Sequence, residues 1–367
     1  MASTQMQSPA DVLAALGPGV GLCGELAPFA GGSAGLPLAQ RLAEHPLLMA
    51  PMAGVTDSAY RMMARAGGAD LAYSEMVSCA GLHYGGEKTW ELVDVAPGEP
   101  DLAVQLFGTK PELFAEAAAG VAERLGERLV LIDINMACPV PKVTKKGEGA
   151  ALMETPELAA SLVAACAGTV DVPVTVKIRR GRRDGAEVAP EFARRMADAG
   201  AQAVAVHGRY ATQFYHGEAD WDVVRRVVEA VDVPVIGSGD VRDAREAARM
   251  LAETGATAVM VARGSYGNPW IFSQARALLL SGHEPEPVSL VRRVDAFECH
   301  MRLLAATGAH LKRGRSLATW YLRGMPEAAY WRGRANECST LEEFLGVTAE
   351  LRRAMAEADA SKDAAHE

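Results

Sequence analysis

The chain has 367 residues and a formal net charge of -9 at pH 7, and a negative field of this kind excludes indiscriminate binding to nucleic-acid phosphates. Its length accommodates an α/β barrel of about 250 residues together with a smaller second domain. The six cysteines form no CxxC pair and no regular framework, which argues against a disulfide-stapled fold and structural zinc, so we expect reduced thiols and no metal.

Residues 1–45 lack the basic and long apolar segments of a signal peptide, and no run in the chain reaches the roughly 18 apolar residues of a membrane span. We therefore expect a soluble, cytoplasmic protein without membrane attachment. The same segment contains the glycine-rich stretches GPGVG and FAGGSAG, and neither matches a dinucleotide or P-loop motif. Its composition predicts a loosely ordered N-terminal extension.

Eight short apolar runs, rich in β-branched residues, follow one another between residues 46 and 285 with helical patterns between them. Near-continuous apolar strands are typical of a parallel sheet buried on both faces, and eight strand-helix units predict a (β/α)8 TIM barrel. Strands cease after residue 272, and we expect residues 286–367 to form a small helical domain. The runs are LLMAPMA (47–53), LAYSEM (71–76), LAVQLFG (102–108), VLIDINMAC (130–138), VTVKIRR (174–180), AVAVHGR (203–209), PVIGSGD (234–240) and TAVMVARG (257–264).

Polar side chains gather at the ends of these runs, where barrel enzymes place their active sites. Taken alone, Cys138 is most often a packing residue and Lys177 a snorkelling or ion-paired strand end. Their shared position at one rim favours a functional site. The strand ends supply Gln105, Asn135, Cys138, Lys177, His207, Arg209, Asp240 and Arg263.

Two glycine-containing turns follow the last two strands, GSGD (237–240) and ARG (262–264). At this position barrels commonly hold a phosphate on backbone N–H groups, and Arg263 would add a charge-assisted contact. Lys177 then has two interpretations, a Schiff-base lysine in a cofactor-free lyase or a cation beside the electron-rich edge of a reduced flavin. Spacing alone leaves both open.

A set of segments spread over residues 46–335 resembles the motifs of the tRNA-dihydrouridine synthases. The resemblance implies an FMN-binding barrel that uses NADPH to reduce the C5–C6 double bond of a particular uridine in tRNA. The matching segments are APMAGVTD (50–57), SEM (74–76), QLFG (105–108), DINMACP (133–139), VTVKIRRG (174–181), VHGR (206–209), SGD (238–240), VARGSYGNPWIF (261–272) and WYLRGMPEA (320–328).

The resemblance also implies roles for single residues. Hydride addition at uracil C6 leaves negative charge on C5 and the C4 oxygen, so a proton must arrive at C5. Cys138 is the candidate acid, because a neutral thiol is mostly protonated at pH 7 and still releases its proton. Asn135 and Arg209 would contact the flipped-out base or its surroundings. The expected flavin contacts are Pro51, Met52, Ala53 and Gln105, with Lys177 and His207 at the ring and ribityl chain, and Ser238, Gly239, Asp240, Ala262 and Arg263 at the phosphate.

Three positions depart from the family pattern. Ala137 stands where glycine usually precedes the catalytic cysteine, and Ser238 replaces the common asparagine of an NGD turn. In the tail, the frequent RKH before WYL is here RSLATWYL, which keeps Arg315 and loses the neighbouring lysine and histidine. These changes bear on how the chain holds tRNA more than on the reaction.

Three basic segments predict where tRNA would lie: KVTKK (142–146), with Lys142 and Lys145, KIRRGRR (177–183), and the tail from Lys312 to Arg334. Any one of them is typical of a solvated face. Two at the barrel mouth and one in the tail together favour a cleft that contacts the RNA backbone. Four aromatic residues of the tail are expected in a helical core, namely Trp320, Tyr321, Tyr330 and Trp331.

Two rival functions remain beside the Schiff-base lyase. The first is a flavin-dependent barrel reductase of a free pyrimidine or another small unsaturated substrate, which would not need a basic helical tail. The second is a tRNA-binding module without catalysis, which would not need Cys138, Lys177 and His207 at one rim.

Overall fold

The computed structural model describes residues 8–32 and 35–363, and its central feature is a closed barrel of eight parallel strands. Each strand pairs with the next one along the chain, and the last pairs with the first. The predicted TIM barrel is therefore confirmed. The strands are β1 (Leu47–Met49), β2 (Leu71–Ser78), β3 (Leu102–Phe107), β4 (Leu129–Met136), β5 (Val174–Gly181), β6 (Ala203–Tyr210), β7 (Val235–Ser238) and β8 (Ala258–Val261).

The strands are buried on both faces, as their apolar composition predicts. Every residue of β4 and β6 is buried, including the polar ones. The first strand is shorter than the predicted run 47–53 and ends at Met49. The N–H of Ala50 still donates to the carbonyl of Val261 at 2.9 Å, but Pro51 has no N–H with which to continue the ladder.

Helices alternate with the strands around the barrel. Their ends follow local capping signals: the side chain of Asp57 accepts the N–H of Tyr60 at the start of one helix (2.8 Å), and Gly255 ends another in the left-handed region at φ 71°. The helices up to residue 281 are α1 (Pro9–Leu16), α2 (Leu38–Glu44), α3 (Ser58–Ala66), α4 (Cys79–His83), α5 (Glu87–Trp90), α6 (Pro111–Leu125), α7 (Pro141–Thr144), α8 (Pro156–Ala167), α9 (Ala189–Asp198), α10 (Asp222–Ala230), α11 (Ala244–Thr254) and α12 (Ile271–Ser281).

The predicted loose order of residues 1–45 is wrong for the part that the structure describes, residues 8–32 and 35–45; residues 1–7 and 33–34 lie outside it. Phe29, Leu38 and Leu42 are buried against barrel-interior residues at the strand starts, such as Leu71 and Ala258. Helix α1 also packs against the helical region near the C-terminus. The segment is ordered because its few large apolar side chains close the barrel floor.

The region after residue 289 is helical throughout its described part, as predicted, and the predicted boundary at 285/286 falls in the connection 282–289. Its core contains Phe297 and Tyr321, and Trp331 is also buried. Two of the four aromatic residues expected in that core lie elsewhere, since Trp320 stacks on Tyr266 of the barrel at 4.1 Å and Tyr330 is exposed. The helices are α13 (Leu290–Ala306), α14 (Arg313–Tyr321), α15 (Ala328–Glu337) and α16 (Leu341–Asp363).

In the described part of the chain, no helix is long and apolar enough to cross a membrane. Within the same residues, no group of three or more histidine, cysteine, aspartate or glutamate side chains is arranged to hold a metal ion.

Candidate active site

A cavity of about 1020 Å³ opens at the carboxyl ends of the strands and extends to the seam with the C-terminal helices. Most of the predicted site residues line it; Gln105, Lys142 and Lys145 do not. The sequence also missed part of the wall, including Arg179, Tyr215, Tyr266, Trp270, Arg293 and Arg323. The predicted residues that line it are Pro51, Met52, Ala53, Asn135, Cys138, Lys177, His207, Arg209, Ser238, Gly239, Asp240, Ala262 and Arg263.

Cys138 lies in the turn that follows β4 and is half-buried. The side-chain oxygen of Asn135 accepts the N–H groups of Ala137 (3.2 Å) and Cys138 (3.0 Å), which shapes this turn. Burial raises the pKa of the Cys138 thiol, and the N–H of Val140 and the charge of Arg179 oppose that shift only in part. The thiol therefore carries its proton at neutral pH.

Arg179 joins the loops on either side of the site. Its Nε donates to the carbonyl of Ala137 (2.8 Å), next to Cys138, and its Nη1 donates to the carbonyls of Tyr210 (3.0 Å) and Phe214 (3.1 Å). Phe214 has a φ of 50°, in the left-handed region that a non-glycine residue seldom occupies. In the sequence Arg179 belongs to a basic run, but its position two residues after Lys177 on β5 places both side chains inside the barrel.

Lys177 and His207 lie deep in the cavity, on neighbouring strands. Burial and the nearby Arg179 lower the pKa of Lys177 to about 8, against the opposing effect of Asp133 and Cys138. Burial and the surrounding cations hold the pKa of His207 well below its ordinary value, so its imidazole is neutral at pH 7. The site thus presents one ammonium and one neutral imidazole.

The turn after β7 brings Gly239 and Asp240 to the cavity wall. A Cβ at Gly239, whose φ is 112°, would lie 2.8 Å from atoms of His207 and Ala219, so the close approach of these elements requires glycine. Although burial opposes ionisation, the N–H of Ala219 and the guanidinium of Arg209 lower the pKa of Asp240. Asp240 is therefore ionised at neutral pH and holds the guanidinium of Arg209 and the N–H of Ala219.

Arg209 has partners that differ from the predicted ones. Its Nη2 donates to both oxygens of Asp240 (2.6 and 2.8 Å) and to the carbonyl of Gly217 (2.6 Å), and the side chain is buried. Most of its donors hold the loops after β6 and β7, and its contact with the base or its surroundings stays a prediction. Arg263, with its side chain half-exposed and stacked on Tyr215 at 4.6 Å, is the more accessible cation.

Gln105 is fully buried and does not face the cavity. Its amide hydrogen-bonds to Asp133 and Asn135 on the next strand. In this structure the amide of Gln105 makes its contacts inside the barrel, and its flavin contact stays a prediction. The sequence contains a signal for these contacts inside the barrel. Asp133 is a charged residue at an inward-facing position of a strand that is otherwise apolar up to Asn135.

The predicted basic segments are partly neutralised. Arg182 pairs with Glu154, and Arg313 of the tail pairs with Asp57 of the barrel at 2.6 Å. Arg334 pairs with Glu350 at 2.9 Å. Lys142 and Lys145 are exposed, and neither forms an ion pair with another described residue. The basic surface is therefore smaller than the sequence predicts.

Comparison with known proteins agrees with the sequence motifs. The family model Dihydrouridine synthase (Dus) matches residues 48–359. The tRNA-dihydrouridine synthase B of Xanthomonas axonopodis pv. citri is 38% identical over 306 residues, which cover 82% of this chain and 91% of that protein. Probable tRNA-dihydrouridine synthases of Rickettsia conorii and Treponema pallidum are 36% and 37% identical, over 79% and 82% of this chain and 88% and 91% of their own. The chain therefore belongs to the dihydrouridine synthase family, and the predicted enzyme class, a flavin-dependent oxidoreductase, is confirmed.

Proposed function

We propose that this protein uses NADPH and bound FMN to reduce the C5–C6 double bond of a uridine in tRNA, with Cys138 as the proton donor. The observation that carries the proposal is the placement of a protonated thiol and a buried ammonium in one cavity. Asn135, in the turn of Cys138, is in register with Lys177 on the adjacent strand. Membership of the dihydrouridine synthase family supports the reaction type.

The cavity and its lining fit FMN. A cation lies at each end, Lys177 deep in the barrel and Arg263 at the turn after β8, which suits a ligand with an anionic phosphate and a ring that gains negative charge on reduction. At Gly264 a Cβ would lie 2.2 Å from the carbonyl of Val241, so the phosphate-side turns are closely packed. The backbone of Pro51 and Ala53 would form one wall beside the ring.

The chain's own residues would guide the chemistry. Once bound and reduced, FMN supplies the hydride that adds to uracil C6. Cys138 holds a proton at its thiol and would deliver it to C5, which balances the addition of the hydride. The side-chain oxygen of Asn135 accepts a backbone N–H, and one hydrogen of its NH₂ is donated to Gln105. The other amide hydrogen remains for a base edge. Half-burial of Cys138 limits access of water to the thiol.

The outer part of the cavity suits RNA. Extrusion of a uridine from a folded RNA costs a few kcal/mol, which contacts elsewhere must offset. Arg293 and Arg323 line the cavity where it meets the C-terminal helices, and neither forms an ion pair with another described residue. Exposed Lys142 and Lys145 follow the Cys138 turn. These cations are available to phosphates.

Replacing Cys138 by alanine tests the assignment of the acid. Cys138→Ala should lower the rate of dihydrouridine formation in tRNA by roughly 10²- to 10⁴-fold, the usual contribution of a general acid. Oxidation of NADPH by the bound flavin, followed with oxygen as acceptor, should continue, because the thiol is needed only at the uracil. Cys79→Ala, which removes a buried thiol outside the cavity, is the control. Full activity of Cys138→Ala on tRNA would refute the assignment.

A further inference from the structure

Beneath Cys138, three buried side chains form a continuous hydrogen-bonded chain inside the barrel. Gln105 Nε2 donates to Asp133 Oδ2 at 2.6 Å, and Asn135 Nδ2 donates to Gln105 Oε1 at 2.7 Å. The chain ends at the turn of the proton donor, where Asn135 Oδ1 accepts the N–H of Cys138. Asp133 is thus linked to Cys138 through two amides without touching it.

These hydrogen bonds can run in only one direction, from the amides toward Asp133. The backbone N–H of Cys138 can only donate, so the oxygen of Asn135 must face it and the NH₂ must face Gln105. At the other end an ionised Asp133 can only accept, so the NH₂ of Gln105 must face the carboxylate. Both ends demand the same orientation of both amides, and neither amide can turn without losing a hydrogen bond.

The strand register explains why these residues meet. Gln105 of β3 pairs with Asp133 of β4, and Asp133 pairs with Thr175 of β5. Asn135 is two residues after Asp133 and therefore lies on the same inward face. Thr175 Oγ1 donates to the second carboxylate oxygen at 2.7 Å, so both oxygens of Asp133 are used.

A carboxylate such as Asp133 costs free energy when it is buried inside a barrel. Its side chain is fully buried, and burial raises its pKa to about 6 against the hydrogen bonds of Gln105 and Thr175 and the charge of Lys177. An apolar residue would fill this space without the cost of burying a charge. The hydrogen bond that this carboxylate accepts from Gln105 fixes the orientation of both amides.

We propose that Asp133 is a positioning residue for Cys138 and acts through the fixed chain of Gln105 and Asn135. This inference rests on the proposed role of Cys138 as the proton donor. Without an acceptor at position 133, the amide of Gln105 is free to turn. Asn135 Nδ2 then loses the oxygen of Gln105 that holds the amide of Asn135 in place. The turn that holds the thiol then loosens, and the thiol becomes more exposed.

Two substitutions separate the hydrogen bond from the charge. Asp133→Leu cannot accept from Gln105, whereas the oxygen of Asp133→Asn can, while its NH₂ donates to Thr175 Oγ1. The measurement is the rate of Cys138 alkylation by iodoacetamide at pH 7 in the purified full-length protein, by peptide mass spectrometry. Exposed Cys23 is the internal reference. Tryptic quantification of both peptides gives the ratio directly.

We expect Asp133→Leu to raise alkylation of Cys138 relative to Cys23 by roughly two- to tenfold, about the effect of losing one hydrogen bond. Dihydrouridine formation in tRNA should fall by at least roughly tenfold in the same variant, because a displaced acid reacts poorly. Asp133→Asn should keep the wild-type alkylation ratio, because its oxygen still accepts from Gln105. Its rate of dihydrouridine formation should fall less than that of Asp133→Leu, since it loses only the charge that raises the pKa of Lys177. Gln105→Met, which interrupts the chain with a neutral side chain, should behave like Asp133→Leu and serves if that variant does not fold.

The control is Asp101→Asn, which alters another buried carboxylate, one paired with Arg65 at the barrel floor (2.6 Å). It should lower the unfolding temperature and leave the Cys138 to Cys23 ratio unchanged. Unchanged alkylation in both Asp133→Leu and Gln105→Met would overturn the proposal, and so would an equal rise of the alkylation ratio in Asp133→Asn and Asp133→Leu, since the loss of the charge would then be responsible. If no form of the protein reduced tRNA while the alkylation ratios still differed, the proposed function would fail and the positioning chain would stand.

Discussion

At the residue scale, the site contains several cationic side chains close together, and their charge states depend on one another. Lys177 and Arg179, both on β5, line the same cavity. His207 lies on the neighbouring strand β6, between β5 and the phosphate-side turns after β7 and β8. Neutral His207 avoids a third charge at this point. The carboxylate of Asp133 opposes the lowering of the Lys177 pKa by burial and Arg179. With a pKa of about 8, the Lys177 ammonium stays charged at neutral pH.

The pKa of Lys177 predicts the alkaline limit of the reaction. Its pKa in the folded protein is lowered from 10.5 to about 8, so the ammonium is present below pH 8 and is lost as the pH rises through 8. The rate of tRNA reduction by pre-reduced enzyme should therefore be level near pH 7 and fall above pH 8. The Cys138 thiol, with a raised pKa, stays protonated over this range. Lys177→Arg should keep its charge and remove the fall; a wild-type profile that stays level through pH 8 would contradict this account.

At the element scale, the N-terminal segment is an integral part of the barrel. The N–H of Phe29 and the guanidinium of Arg65 both bond to Asp101, and Trp270 Nε1 donates to the carbonyl of Val20 at 2.8 Å. Trp270 also lines the cavity. The segment therefore contacts both the barrel floor and a wall of the site, although the family match begins only at residue 48.

Truncating an apolar side chain in this segment should destabilise the whole protein. Leu42 is fully buried at the barrel floor, and Leu42→Ala should lower the free energy of unfolding in urea by about 2–5 kcal/mol, because a cavity remains. Leu280→Ala makes the same change at a helical position that is 82% exposed and should have an effect within about 0.5 kcal/mol. Equal effects of the two substitutions would show that the segment does not support the barrel.

The sequence predicted what depends on local pattern and missed what depends on distant partners. The strands and the positions of Cys138 and Lys177 were accessible, because apolar runs that stop at polar residues mark the strand ends of a barrel. The sequence places Arg179 in a basic segment predicted to contact the RNA backbone, because its three carbonyl partners are distant in sequence. The order of residues 8–32 and 35–45 was missed because their glycine and proline content conceals a few widely spaced apolar side chains. Phe29 and Leu42 acquire their role only when the barrel is present.

At the scale of the whole molecule, a protein of net charge -9 places a group of cations without ion pairs beside the cavity. Exposed Lys142 and Lys145 follow the Cys138 turn, and Arg293 and Arg323 lie at the seam between the barrel and the C-terminal helices. Many other arginines are paired with carboxylates within the described residues. These cations favour a polyanion that approaches the cavity mouth.

The most direct test of the central claim is an anaerobic titration of the purified protein, followed by flavin absorbance. The bound flavin is first reduced with NADPH, and tRNA that lacks dihydrouridine is then added, with free uridine as the matched control. The account predicts that tRNA restores the absorbance of oxidised flavin in proportion to the dihydrouridine formed and that free uridine does not. A protein without flavin, a reduced flavin indifferent to tRNA, or equal reoxidation by free uridine would contradict it.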